Sequence, residues 1–129
     1  MRRYIFILLS FLSMLSAAAG GPIRWNQAYQ TYIDQYKDMA MEGMLKYGVP
    51  ASITLAQGLL ESGAGRGTLV LQGNNHFGIK CHGWTGRTIS HDDDELGECF
   101  RAYDSALESF EDHCKFLRDR PRYRSLFSL

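Results

Sequence analysis

Glu61 is the residue whose type and setting most invite chemistry. It closes the stretch Val49-Pro50-Ala51-Ser52-Ile53-Thr54-Leu55-Ala56-Gln57-Gly58-Leu59-Leu60 and is followed at once by Ser62-Gly63-Ala64-Gly65. Ile53, Leu55, Ala56, Leu59 and Leu60 recur at helical spacing, and Pro50 stands where a first helical turn needs no N–H. The spacing predicts a mostly buried helix that ends on a carboxylate. The small residues after it tolerate left-handed backbone and leave room above the last turn. A carboxyl at the rim of a core loses hydration of its charged form, so its pKa rises, as a general acid working near neutral pH requires. Taken alone, the pattern more often marks a solvated Glu at a helix end.

Two further segments bring polar and aromatic groups together: Asn74-Asn75-His76-Phe77-Gly78-Ile79-Lys80 and Glu98-Cys99-Phe100-Arg101-Ala102-Tyr103-Asp104-Ser105. An amide such as Asn75 can bond hydroxyl and acyl groups, and the rings of Phe77 and Tyr103 can stack on a flat ligand or pack in a core. Arg101 suits an ion pair. Between the segments runs Asp92-Asp93-Asp94-Glu95, where Asp92 and Asp94 share a face by the period of two if a strand continues through them. A solvated turn is the competing reading. His76, His82, His91 and His113 lack helical or paired ligand spacing, so neither a metal nor another cofactor is expected.

These groups need elements to hold them. Tyr29, Tyr32, Ile33, Tyr36, Met39, Ala40, Gly43, Met44 and Tyr47 form an apolar stripe and predict one long helix over residues 25–47, with core as the plainer role for its aromatics. Gly48-Val49-Pro50 closes it. A short helix is expected over 67–72. Asp104 or Ser105 can cap a last helix in which Leu107, Phe110, Cys114 and Leu117 repeat until Arg120-Pro121. Residues 87–91 and 98–103 read as two strands of a hairpin around 92–97. The expected class is α+β, mostly helical, with one small β-hairpin.

The order Ala-Gln-x-x-Leu-Glu-Ser-Gly-x-Gly, then Asn-Asn-x-Phe-Gly-Ile-Lys, then Phe-Arg-x-Tyr-x-Ser resembles the glucosaminidase family of bacterial peptidoglycan hydrolases, glycoside hydrolase family 73, which also forms the hydrolase half of flagellar rod-assembly proteins. The resemblance runs from about Tyr29 to the C-terminus. It implies a lysozyme-like fold with the hairpin beside a substrate groove, cleavage of the β-1,4 bond after N-acetylglucosamine, and Glu61 as general acid. It also implies a border of the groove at Asn75, Phe77 and Tyr103. Family members carry a second acid in the hairpin, commonly a Glu two residues after a Thr. The corresponding residue here is Asp92, two after Ser90, with Asp94 as competitor, and it either activates water or orients the substrate's own acetamido group. The readings that compete with this one are a non-catalytic glycan-binding or assembly module, and a muramidase or lytic transglycosylase. Family domains continue with another helix and a Gly-Tyr-Ala-Thr segment, so the expectation is a catalytic domain over 20–129 that is truncated at its C-terminus.

Three cysteines leave at least one unpaired in a monomer. Cys81 follows the Phe-Gly-Ile-Lys segment and Cys99 lies on the second strand, so a Cys81–Cys99 bridge would pin the hairpin beside the groove. Cys114, on an apolar stripe, is expected to be a buried free thiol. None of the three has a nucleophile's surroundings.

The 129 residues, 45% of them hydrophobic, suffice for one core. Arg2-Arg3, an apolar run over 4–15 and Ala17-Ala18-Ala19 read as a secretory signal peptide over 1–19, with an apolar run shorter than the roughly 20 residues that span a bilayer. The chain has 14 basic and 14 acidic residues, and without Arg2 and Arg3 it is mildly acidic, which argues against nucleic acid. The expected setting is the periplasm or the cell exterior, with peptidoglycan as partner, no stable membrane insertion after signal cleavage, and a monomeric state.

Overall fold

The computed structural model describes residues 26–128, so the expected signal peptide lies outside the described residues. Helix α1 spans Gln27–Tyr47, α2 Ala51–Glu61, α3 Thr68–Gly73 and α4 Ala106–Arg118. The strands are β1, Thr88–His91, and β2, Glu98–Arg101, and a 3-10 segment, Pro121–Ser128, comes after α4.

Local chemistry sets most of these limits. Asn26 caps α1 by accepting from the Ala28 amide at 2.8 Å, and Gly48 ends it in the left-handed region. Pro50 stands just ahead of α2 with non-helical backbone (φ −55°, ψ 128°), and the two helices pack as a hairpin. Ser105 caps α4 by accepting from the Glu108 amide, while the Glu108 carboxylate accepts from the Asp104 amide.

The α1 stripe is narrower than its sequence pattern. Tyr32, Ala40 and Gly43 are buried, whereas Tyr29 and Met44 face solvent. A correction also applies to α2, which is not mostly buried. Its buried line is Thr54 and Gly58, and Leu60 is half exposed. The reason is close approach: a Cβ on Gly58 would stand 2.5 Å from Tyr32 Oη and 3.3 Å from Phe77 Cε1. Small side chains occupy the contact, and the larger apolar ones flank it. On α4, Phe110, His113, Cys114 and Leu117 are buried and Leu107 is displaced toward solvent.

Tyr32, Ala40, Phe77, Ile79 and Phe110 form the main core cluster, and Val49, Cys114 and Leu117 a second one beneath Tyr123 and Leu126 of the 3-10 segment. Cys114 is a free buried thiol. The strands pair antiparallel with Ile89 opposite Phe100 and His91 opposite Glu98. A two-stranded sheet is marginal by itself. Here Lys80 bridges to Phe100, and a disulfide joins Cys81 to Cys99, so the hairpin is fixed to the segment just after Phe77.

Candidate active site

Glu61 is the last residue of α2, and the next residue, Ser62, is a buried anchor. Ser62 is 2% exposed, donates its hydroxyl to the Gly58 carbonyl and accepts from the Gly65 amide at 2.8 Å. Gly63, Ala64 and Gly65 all take positive φ, which turns the chain sharply away. The carboxyl of Glu61 is thereby held at a fixed helix end with open space beside it.

Two cavities meet at Glu61, Phe77 and Gly78. One, of about 240 Å³, lies toward the hairpin and α3 and is walled by Thr68, Val70, His91, Asp93 and Phe100. The other, of about 300 Å³, lies toward α4 and the 3-10 segment and is walled by Gln57, His113, Phe116, Tyr123 and Leu126. Together they make a groove with Glu61 at its middle. Gly78 adopts φ +62°, which L side chains rarely adopt, and its Cα faces Glu61, where a Cβ would lie 3.9 Å from Oε2 in ordinary contact. Burial raises the Glu61 pKa, and the negative charge of Asp93 raises it further.

The hairpin acid that shares the cavity with Glu61 is therefore Asp93, not Asp92 or Asp94. Asp92 accepts from the Gly97 amide at 2.7 Å and holds the turn, and Asp94 is drawn to Lys80 Nζ at 3.5 Å. The period-of-two argument fails because β1 ends at His91, and in the loop beyond it side chains no longer alternate. An exposed run of four acids gives no sequence signal as to which one turns inward.

The groove border also needs correction. Asn75 is 1% exposed; its amide donates to the carbonyls of Ile79 and Arg101 and its oxygen accepts from the Ile79 amide, so both its N–H donors are spent inside the protein and it does not line the groove. Tyr103 is buried, and its hydroxyl donates to Asp112, which also pairs with Arg101 at 2.9 Å. Both residues fasten the hairpin base to the core, where buried polar atoms must find partners. Phe77 alone of the three borders the groove, as part of its floor.

Gln57 belongs to the groove as well. It lies four residues before Glu61 and therefore on the same helix face, a spacing that could have marked it. Its side-chain oxygen accepts from His113 Nε2 at 2.8 Å. His113 is buried against Phe77, with ring centroids 3.8 Å apart, and burial pushes its pKa down to about 3, so it is a neutral support. His76, bonded to the Tyr32 hydroxyl at 2.8 Å, is likewise pushed down by burial to about 4.

Among the described residues, Asp93, Asp94 and Glu98 form a carboxylate group compact enough to hold a cation, with ligand atoms within 4.8 Å of one another. The Lys80 ammonium already supplies positive charge there, 3.1 Å from Glu98 and 3.5 Å from Asp94.

The sequence model of the family described as mannosyl-glycoprotein endo-beta-N-acetylglucosaminidase matches residues 37–128. The chain is 31% identical over 125 residues to the peptidoglycan hydrolase FlgJ of Vibrio parahaemolyticus, covering 86% of this chain and 40% of that protein. It is 34% identical over 94 residues to the exo-glucosaminidase LytG of Bacillus subtilis, covering 67% of this chain and 33% of that one. It thus spans two fifths or less of these two relatives. The glycoside hydrolase domain of Salmonella typhimurium FlgJ superposes with a TM-score of 0.69 at 27% identity, covering 78% of this chain and 67% of that one. The described residues have the lysozyme-like α+β fold expected from the motifs.

Proposed function

Since the chain belongs to the glucosaminidase family, we propose that it hydrolyses the glycan strands of peptidoglycan at the β-1,4 bond after N-acetylglucosamine, with Glu61 as general acid. Relatives named as peptidoglycan hydrolase and exo-glucosaminidase support the substrate and the linkage. The observation that carries the acid is the place of Glu61 at the junction of both cavities, with its carboxyl biased toward the protonated form by burial and by Asp93.

A strand lying along the groove sets a glycosidic oxygen against Glu61. The proton passes to that oxygen as its bond to C1 breaks, and the positive charge that develops on the sugar faces the acidic hairpin. Asp93 accepts a proton from the water that adds to C1 and then releases it to solvent, as Glu61 regains one from solvent. Phe77 offers an apolar surface to the sugar face, and Gln57, its oxygen held by His113, presents its amide hydrogens to the substrate. The work is done where peptidoglycan lies, in the periplasm or at the cell exterior. No helix among the described residues is long and apolar enough to cross a membrane.

The test is the new reducing end. Purified peptidoglycan is digested, the products are reduced with borohydride and the terminal sugar alcohol is identified by mass spectrometry. N-acetylglucosaminitol is expected; N-acetylmuramitol would make the protein a muramidase, and a 1,6-anhydro end a transglycosylase. Binding to the polymer without soluble product would make it a glycan-binding module.

A further inference from the structure

Resting on the hydrolase reading, we propose that Tyr32 and His76 are positioning residues for Glu61: their buried hydrogen bond sets how the helix end that carries the acid stands against the Phe77 and Gly78 floor. Tyr32, on α1, is 2% exposed and reaches both limbs of the turn around Glu61. A Cβ at Gly58 would stand 2.5 Å from Tyr32 Oη, and a Cβ at Gly65 would stand 3.3 Å from Tyr32 Cδ2. Between these limbs the Ser62 hydroxyl donates to the Gly58 carbonyl and accepts from the Gly65 amide, so the tyrosine closes over a turn already tied to itself. The Tyr32 hydroxyl is bonded to His76 Nδ1 at 2.8 Å. His76 is 1% exposed, its backbone amide donates to Ser109 Oγ of α4 at 3.1 Å, and the next two residues are Phe77 and Gly78. One hydroxyl therefore joins the end of α2 to the segment that floors the groove. It does so from α1, which contributes no residue to the lining of either cavity.

Packing alone does not call for this pair. A phenylalanine and an aliphatic residue would fill the same space among Tyr36, Phe77 and Phe110 without the cost of burying a hydroxyl and an imidazole. Burial pushes the Tyr32 pKa up and the His76 pKa down to about 4, so both are neutral where the enzyme works. What the pair adds is a contact of fixed length and direction, whereas packed rings can slide. Glu61 is sensitive to such a contact because burial is the larger cause of its raised pKa and Asp93 the smaller. The other charged or titratable groups around the two cavities are His91 of the hairpin, Lys80 and His82 beyond Gly78, His113 of α4 and Arg122 of the 3-10 segment. Changes at Tyr32 or His76 leave all of these and Asp93 in place, so their effect on Glu61 reads its depth.

The experiment measures kcat, KM and the pH profile of the purified protein on soluble glycan strands released from peptidoglycan by sonication, well below the unfolding temperature of each variant. Tyr32→Phe keeps the ring and removes the hydroxyl, His76→Leu removes the partner, and His76→Asn keeps a polar group where Nδ1 stands. Tyr32→Phe and His76→Leu should each lower kcat about tenfold with KM changed less than about twofold. Both should also move the alkaline decline of the rate to lower pH, because a looser helix end hydrates the carboxylate. His76→Asn should keep most of the parent kcat and the parent profile, and the double variant Tyr32→Phe with His76→Leu should be no worse than either single change. A decline that stays in place in both single variants, or His76→Asn behaving as His76→Leu does, would overturn the proposal. Should Tyr32→Phe fail to fold, the two His76 variants decide. No product from the parent protein would overturn the hydrolase reading itself, whereas an active parent with fully active Tyr32→Phe and His76→Leu would overturn this inference alone.

Discussion

The hairpin side of the groove is a pair of four-residue strands carrying four consecutive acids on an exposed loop, whereas the α4 side is helical, aromatic and basic, and rests on the second core cluster. The first is held by attachments: a disulfide, the Lys80 bridge, and the hydrogen bonds of Asn75 and of Arg101 with Asp112. The second is held by packing. Glu61 stands between them at the end of a helix packed on the main core, while Asp93, the carboxylate whose charge reaches it, depends on how well a small sheet is pinned. Where a fold can bury apolar surface it needs no staple, and where it must present charge to solvent it does.

The largest break in this contrast is at its centre. Glu61→Gln keeps the shape but has no proton to give, and hydrolysis should fall by at least about 10²–10⁴-fold. Because burial and Asp93 both disfavour the charged form of Glu61, its contribution to stability is present at acid pH and is lost as pH rises through its raised pKa. The amide variant should therefore melt no lower than the parent at neutral pH. Turnover near the parent rate would remove Glu61 from the mechanism.

Next in size is the loss of the staple. Cys81 and Cys99 are 18 residues apart, and removing a bridge of that span by the double change to Ser should lower stability by about 3 kcal/mol, read by thermal or urea unfolding. Activity should fall while the helical circular dichroism persists. Equal loss of both signals would mean that the hairpin and the helices are one cooperative unit and would erase the distinction between the two sides.

The hairpin acids give a smaller, sharper test. Asp93→Asn should slow hydrolysis about tenfold or more, equivalent to about 1.4 kcal/mol of barrier, and Asp92→Asn and Asp94→Asn should each cost less. Equal and near-native rates in all three would leave the second step to the substrate's acetamido group. The smallest effect is in the pH profile. On the proposed mechanism the rate should decline as pH rises through the pKa of Glu61, and since Asp93 raises that pKa, Asp93→Asn should move the decline to lower pH. A decline that stays in place would place Asp93 outside the field of the acid.

Much of the molecule is legible in its chain. The long helix, the hairpin, the Ser105 cap and the end of α2 at Glu61 all arise from local rules, in which a residue's neighbours in sequence decide its conformation, and the Cys81–Cys99 pairing follows from where the hairpin brings the two thiols. The features that escape such rules are decided by partners distant in sequence. Asn75 and Tyr103 have the chemistry of groove residues, but carbonyls from 79 and 101 and the carboxylate of Asp112 claim them. Asp93 is hidden because alternation stops with the strand at His91. Gln57 carries its signal in plain helical spacing, while its support, His113, lies 56 residues away.

The final turn of α2 also has a consequence for what this protein can become. A helix carries partial negative charge at its C-terminal end, where cationic side chains are favoured by about 0.3–1 kcal/mol and acidic ones are disfavoured by a similar amount. Glu61 occupies that end, and the last turn of α2 holds no basic residue to offset it. Selection for heat resistance alone would favour Lys or Arg there, which bear the same burial cost as the carboxylate but gain from the helix field and from Asp93, and which on the proposed mechanism would leave an inert fold. A stability screen of position 61 should accordingly rank Glu61 below its cationic replacements.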